Sequence, residues 1–408
     1  MAVVGAGVAG LGFAIAAARR GAEVEVIEQA RGLAGDAGAG IQISPNGAVV
    51  LRALGLGAAL KAAGLPAEAV ALFDGIGGRQ LARLDLRRYA AGSAAGSAAG
   101  SAAGSAAGSA AGAGYYFLHR ADLVGMLAEA AVAAGVRLRL GEAAAGIGLA
   151  QDRPQVRLDS GDALCSDLVI GADGVTSAVR QALNGVVAPW FTGHAAWRAV
   201  IPETLDKDAV AEVHMGPGRH VVSYPVRGGR WRNIVAVERR AAWLAEGWSH
   251  ADDPAHLRAA FAGFSPRVRG WLSRVDAAGI WGLYRHPVAR HWYRALPKGG
   301  VALLGDAVHP TLPFLAQGAN MALEDAWVLA AALDRDGITE PGLAAYRAAR
   351  IDRVRRIVAG ADGNARLYHL RAPWRQGAQL AFQVAGLVAP GRMLGRYDWI
   401  WGHDVTAG

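Results

Sequence analysis

Short apolar runs that stop at glycine alternate with alanine-rich stretches in the first part of the chain. That is the pattern of strands covered on both faces by helices. Val3-Val4 closes one such run, Gly5 to Gly10 forms a turn, an alanine-rich segment to Arg20 predicts a helix, and Glu23 to Glu28 predicts a second strand. The form recurs at Asp167 to Ile170, which runs into Gly171-Ala172-Asp173-Gly174, with Ser177 and Arg180 opening a helix. It recurs again at Val301 to Leu304, before Gly305-Asp306 and a helix from Met321 to Leu333. Residues 185 to 290 instead alternate as strands, among them Ala211 to Met215, His220 to Pro225 and Arg232 to Val237. Residues 336 to 408 read as helical, with Tyr346 to Arg356 an arginine-studded amphipathic helix and Trp399-Ile400-Trp401 packing against the rest of the protein.

One segment fits neither period. From Gly92 to Gly112 the unit Gly-Ser-Ala-Ala repeats every four residues, with no charge and no apolar face to bury. A glycine at every fourth position opposes helix, so a flexible connector is expected. Its regularity reads as an engineered linker in place of a natural loop, and the chain, which opens already inside a strand, reads as trimmed.

Composition narrows the class. With 408 residues, 53 % hydrophobic and 19 % charged, the chain is expected to fold as two or three domains rather than remain disordered. Its one cysteine, Cys165, provides no disulfide framework. No apolar run reaches the length of a membrane span, and no basic leader precedes the first strand, so a cytoplasmic protein without stable membrane insertion is expected. The net charge of +8 comes almost wholly from scattered arginines, since Lys61, Lys207 and Lys298 are the only lysines. It therefore predicts no nucleic-acid partner. No metal site is expected.

Gly5-x-Gly7-x-x-Gly10, between a strand and a helix, has the spacing of a dinucleotide-binding turn. Gly5 permits the turn, Gly7 lets backbone approach a pyrophosphate, Gly10 lets helix and strand close up, and the helix N-terminus attracts phosphate. Glu28, ending the second strand, is placed to accept a ribose 2′-OH, which favours FAD or NAD over NADP at this site. Asp306 falls at the carboxyl edge of the sheet, where a polyol chain can be held. The helix opening near Gly318 aims free N–H groups beyond it.

These three motifs, in this order, resemble the class A flavoprotein aromatic hydroxylases, most closely the salicylate hydroxylase and 3-hydroxybenzoate 6-hydroxylase branch. Gly38 to Asn46, His119-Arg120-Ala121-Asp122-Leu123 and Pro313 to Asn320 support the likeness. The resemblance implies an α/β protein with a Rossmann-type FAD-binding domain of the para-hydroxybenzoate hydroxylase kind, an inserted mainly β substrate domain and a helical C-terminal segment. The FAD-binding domain is expected over 1–70, 115–184 and 290–335, the substrate domain over 71–91 and 185–289, the linker over 92–112 and the helical segment over 336–408. It also implies a role for each motif residue. Asp173 and Gly174 would serve both FAD and NAD(P)H, Asp306 would hold the ribityl chain, and Gly318, Ala319 and Asn320 would face the pyrimidine end of the flavin. Arg120 would contact the diphosphate or ribityl region, the alternative being a surface residue at a helix start. Gln42 belongs to the same cofactor set, and Pro313 would line the pocket where substrate and oxygen meet.

The implied reaction is reduction of FAD by NAD(P)H, addition of O2 at C4a to give a hydroperoxide, and hydroxylation of a small activated phenolic ring. All 12 tryptophans lie at or beyond Trp190, either as pocket lining or as core filling. His220 and Tyr224, four apart on one strand face, are the candidates to orient or deprotonate the substrate hydroxyl. The alternative for His220 is a strand-face histidine bonded to solvent. His309 is expected to be structural. A halogenase is disfavoured, because Trp197 to Pro202 carries one tryptophan where that branch has two. A ubiquinone-pathway hydroxylase of a prenylated phenol and a flavin-binding scaffold impaired by the linker remain as rivals. The expected assembly is a monomer or homodimer.

Overall fold

The computed structural model describes residues 1–33, 39–90, 110, 112–149, 151–204, 208–243 and 250–407. Gly38 and nearly all of the Gly-Ser-Ala-Ala repeat lie outside the described residues.

Three buried strands, Ala2–Val4, Glu25–Glu28 and Leu168–Gly171, pair in parallel. Arg137–Leu140 and Gly299–Leu303 extend the sheet on either side, and antiparallel Tyr293–Leu296 closes one edge. Val3, Val26, Val169 and Ile170 are fully buried, as strands covered on both faces require. The helix Val8–Ala18 packs on the helices Arg120–Ala133 and Gly318–Asp336. The strands thus deliver the Gly5, Asp173 and Asp306 turns to one edge of the sheet, where ligands of open α/β sheets bind.

A second sheet has eight strands, in the order His250–Asp252, Ala278–Arg285, Trp190–Pro202, Trp231–Arg239, Arg219–Val226, Val210–Gly216, Ala69–Asp74 and Gln80–Asp85. It is antiparallel apart from the pairing of Val210–Gly216 with Ala69–Asp74. One of its faces is sealed by the helices Pro254–Ala260 and Pro266–Leu272, through a core of Trp197, Phe261, Phe264 and Trp271. The opposite face packs, through Ala196, Val237, Trp281 and Leu283, against Leu312, Phe314 and Ala365. A small sheet of Gly40–Ile43, Tyr116–His119 and Leu65–Pro66 joins the two bodies. The Gly40 N–H donates to Asn233 Oδ1 at 2.8 Å, and the Phe117 ring lies 5.1 Å from that of Tyr224.

The C-terminal part is helical. The helix expected over Tyr346 to Arg356 runs from Glu340 to Tyr368. The extension has a packing cause: Leu343, Tyr346, Ile351, Val354, Ile357, Val358, Ala361 and Ala365 keep one apolar stripe buried along its length. Ile400 and Trp401 pack against the rest of the protein, Trp401 edge-on to Tyr89 and Tyr115. Among the described residues no helix is long and apolar enough to cross a membrane.

Candidate functional site

The turn after the first strand is shaped from within. Gly5 has φ +101°, and a Cβ there would lie 2.4 Å from the Ala172 carbonyl oxygen. A Cβ on Gly10 would lie 2.0 Å from the Gly5 carbonyl oxygen. Gly7 differs: a Cβ there would meet no atom within 4 Å. The protein therefore requires glycine at Gly5 and Gly10 for its own packing, and at Gly7 leaves an open cradle at a helix N-terminus, the form of a pyrophosphate site. Glu28 braces the turn, its carboxylate accepting the Ala6 N–H at 2.8 Å and the Ala30 N–H at 2.9 Å.

The two later turns treat their carboxylates in opposite ways. Asp173 is satisfied within the protein by the Ser177 hydroxyl and by the Ala178 N–H at 2.8 Å. Burial pushes its pKa up and these donors oppose the shift. Gly174 follows at φ +77° with open space above it. Arg180, from the same helix, donates to the carbonyls of Ala307 and Val308, so the Asp173 and Asp306 turns are tied together. Asp306 receives no hydrogen bond from any described residue. Burial raises its pKa, and the charges of His309 and Arg120 act against that. Half-buried and without a donor from any described residue, the Asp306 carboxylate is open to accept hydroxyls. Arg120 opens its helix as expected, and it is exposed.

The Pro313 to Asn320 loop ends at the N-terminus of the 19-residue helix Gly318–Asp336. Ala316 takes φ +52°, a conformation rare for a residue with a side chain, and it is locked by Asn320 Nδ2 donating to its carbonyl at 2.9 Å. Asn320 is completely buried, with Oδ1 accepting the Ser44 N–H and Nδ2 also donating to the Gln42 carbonyl. Its side chain is therefore committed to holding the loop, and only the backbone N–H groups around Gly318 and Ala319 point outward as free helix ends. Pro313 is exposed beside them. Beneath the loop lies a charge network that is fully buried except at Arg353. Asp325 pairs with His309 and Arg350, Glu324 pairs with Arg350 and Arg353, and Asn46 donates to Glu324 at 2.6 Å. Against the burial that would raise it, Arg350 and Arg353 hold the Glu324 pKa at about 2. His309 is thus structural.

On the sheet face opposite, His220 is 1 % exposed, which excludes the solvent-bonded alternative. Its Nδ1 lies 2.6 Å from His369 Nε2, and His369 Nδ1 lies 3.1 Å from His194 Nε2. Burial, reinforced by the neighbouring histidines, holds His220 well below its ordinary pKa, and burial with the charges of His194 and Arg239 brings His369 to about 3. All three are neutral at pH 7. Tyr224 is buried beside Gln42 and Arg198, and burial raises its pKa so that it keeps its proton. Gln42 Oε1 accepts the Tyr115 hydroxyl at 2.7 Å. Phe314 connects the two halves of the site, 5.4 Å from the His220 ring.

His194, Arg198, Asp325, Arg350 and His369 escaped sequence reasoning. His369 ends a helix 149 residues from its partner, a separation at which no spacing rule operates. Arg198 carried one signal, a lone cation within the apolar run Ala195 to Ile201 of its strand.

Residues 1–361 match the family model described as FAD binding domain. The chain is 36 % identical over 375 residues to 3-amino-4-hydroxybenzoate 2-monooxygenase of Streptomyces cremeus, covering 91 % of this chain and 88 % of that one. It is 30 % identical to 3-hydroxybenzoate 6-hydroxylase of Klebsiella oxytoca, over 98 % of this chain and 96 % of that one. Among solved structures, a salicylate hydroxylase substrate complex superposes with TM-score 0.76 at 23 % identity, covering 100 % of this chain and 96 % of its own, a likeness of fold. The relatives do not favour the prenylated-phenol or scaffold alternatives. With an open glycine cradle, a donor-seeking Asp306 and a full-length match to such enzymes, the chain belongs to the FAD-dependent aromatic hydroxylases.

Proposed function

We propose that this NAD(P)H-dependent monooxygenase hydroxylates a phenolic ring lying between the His220 and Tyr224 sheet face and the Pro313 to Gly318 loop. The observation that carries this reading is the convergence of both halves on Phe314. Gly5, Gly7 and Gly10 with the helix N-terminus would hold the pyrophosphate of FAD, Glu28 its adenosine ribose, Arg120 the diphosphate or ribityl region, Asp306 the ribityl hydroxyls, and the N–H groups at Gly318 and Ala319 the pyrimidine edge. Gln42 and Asn320 would position this set, and Asp173 and Gly174 would border the NAD(P)H path. When bound, FAD would supply the redox chemistry, accepting hydride from NAD(P)H and passing one oxygen atom of O2 to the ring while the other leaves as water.

The protein's share is orientation and exclusion of water. His220, kept neutral, accepts a hydrogen bond from the substrate hydroxyl. A histidine with so low a pKa is a poor proton store, so it orients the phenol rather than holding its proton. Tyr224, which keeps its proton, donates. Pro313 forms part of the wall facing oxygen. The nucleotide-type body over 1–70, 115–184 and 290–335, the substrate body over 71–91 and 185–289, and the helical segment over 336–408 supply these walls in turn. The exposed, single Cys165 supports a reducing cytoplasm, and gel filtration separates monomer from homodimer.

The test is substrate-stimulated NAD(P)H oxidation by the FAD-loaded protein with 3-hydroxybenzoate, 4-hydroxybenzoate and 3-amino-4-hydroxybenzoate, product and peroxide both quantified. The expected result is hydroxylated product with one of them, and a His220→Ala variant at least ~100-fold poorer in coupled turnover. Colourless protein that takes up no FAD would overturn the reading, and full coupling in His220→Ala would remove His220 from it.

A further inference from the structure

The imidazoles of His220, His369 and His194 stand in line, and the direction of their hydrogen bonds is fixed from one end. His220 Nδ1 lies 2.6 Å from His369 Nε2, and His369 Nδ1 lies 3.1 Å from His194 Nε2. His194 Nδ1 lies 3.3 Å from the Thr192 hydroxyl, which donates to the Leu283 carbonyl at 2.7 Å. A carbonyl only accepts, so the one hydrogen of the Thr192 hydroxyl goes to Leu283 and its oxygen is left to accept. His194 therefore carries its proton on Nδ1. Burial and the Arg239 cation hold His194 and His369 below the ordinary histidine range, the Thr192 backbone opposing the shift at His194. Burial and the two neighbouring histidines do the same for His220, so each ring carries a single N–H. The rest follows by exclusion. His194 Nε2 accepts from His369 Nδ1–H, His369 Nε2 accepts from His220 Nδ1–H, and His220 Nε2 keeps the lone pair. The reverse order would set two lone pairs against each other between His194 and Thr192.

The fold supplies the end stop. Phe191 pairs with Tyr284 and Ala195 with Gly282, so residues 192 to 194 face Leu283 alone. Gly193 takes φ +75° in this bulge, which brings the Thr192 hydroxyl within reach of both His194 and Leu283. The middle ring is pinned through its backbone, the His369 carbonyl accepting the Gly218 N–H at 3.2 Å, two residues before His220. Phe314, which offers no donor or acceptor, lies against all three rings, 5.4 Å from His220, 6.1 Å from His194 and 6.5 Å from His369.

We infer that Thr192, His194 and His369 are positioning residues that hold His220 in its Nδ1–H tautomer, so that Nε2 can only accept the hydrogen of a substrate hydroxyl. This rests on the reading that the phenolic ring lies on this face. The hydroxyl is then matched on both sides, giving its hydrogen to His220 and taking one from Tyr224. With His220 in the other tautomer both side chains would donate, and the hydroxyl hydrogen would find no acceptor.

NMR of the FAD-loaded enzyme carrying isotope-labelled histidine reads the tautomers directly, since a nitrogen bearing a proton and one bearing a lone pair give distinct shifts. The three residues are assigned by the signals lost in single variants. Nδ1–H is expected in all three, and a proton on His220 Nε2 in the parent would overturn the inference whether or not any variant folds. Kinetics gives the second readout. His369→Gln keeps an acceptor where Nε2 sits, and His369→Leu does not. Leucine is expected to lower the kcat of coupled hydroxylation at least ~10-fold with FAD content unchanged, and glutamine to restore it to within about threefold of the parent. Equal loss in the two variants would reduce His369 to packing and overturn the inference. A crippled His220→Ala beside an unimpaired His369→Leu would overturn it alone, whereas full coupling in His220→Ala would remove the role of His220 in the phenol reading and this inference with it.

Discussion

Gly7 and Gly10 lie three residues apart in one turn, yet their hydrogens serve different masters. At Gly10 the neighbour is the backbone of Gly5, 2.0 Å from where a Cβ would sit, and backbone cannot move aside. Gly10→Ala is expected to cost about 1–3 kcal/mol of stability, as overpacking in a filled core does, read from a shifted urea midpoint. At Gly7 no atom lies within 4 Å, so Gly7→Ala leaves the apoprotein's stability nearly unchanged. A methyl group there intrudes on a pyrophosphate, and FAD affinity should fall by tenfold or more, ~1.4 kcal/mol, in a fluorescence titration. Equal FAD affinity in Gly7→Ala and the parent would remove the cradle from the cofactor site. Asp306 and Asp173 make the same contrast with carboxylates, the one lacking a donor and the other saturated by Ser177 and the helix it caps.

The helices Gly318–Asp336 and Glu340–Tyr368 are clamped by charge rather than by apolar contact alone. Glu324 and Asp325 of the first face Arg350 and Arg353 of the second, with His309, Glu324, Asp325 and Arg350 each at 0 % exposure. Removing one member strands the others in a low-dielectric interior. Arg350→Met is therefore expected to destabilise by about 3–5 kcal/mol in urea unfolding, although methionine fits an apolar core. The same clamp reaches Asn46 and, through Gln317 and Ser44, the strained Ala316 loop. Arg350→Met should accordingly loosen FAD as well as unfold the protein earlier. A stability loss under about 1 kcal/mol would show that the network is incidental to the packing of these helices.

Across the whole molecule, the His194, His220 and His369 chain joins two strands of the large sheet to the end of the longest helix. Folding holds His369 near pKa 3, well below the ordinary histidine value of about 6.5. Between those values the unfolded chain binds a proton that the folded protein refuses, so stability is intact above pH ~6.5 and falls as the pH drops. The loss is at most about 1.4 kcal/mol per pH unit for this group. Between pH 7 and pH 5 the Tm of the parent should fall more steeply than that of His369→Phe. Parallel curves would show that the chain of rings does not couple to folding.

The order of strands and glycine turns, the cradle of Gly5, Gly7 and Gly10, Glu28, the Asp173 and Asp306 turns and the helix opening at Gly318 were all legible in the sequence. Each rests on local geometry, where a turn, a helix end and a strand end fall within a few residues of one another. His220 and Tyr224 were legible as a pair because strand alternation is local too. Their surroundings were not: His369, Arg198, the Arg350 clamp and the commitment of Asn320 to its own loop depend on which distant side chains folding brings within 3 Å and which atoms it then hides from water. Local spacing was enough to mark the glycine cradle at a helix N-terminus and the carboxylate turns at the carboxyl edge of the sheet. Which carboxylates and cations stay without a protein partner is settled by folding, because desolvation and pairing belong to the packed interior and to no single segment.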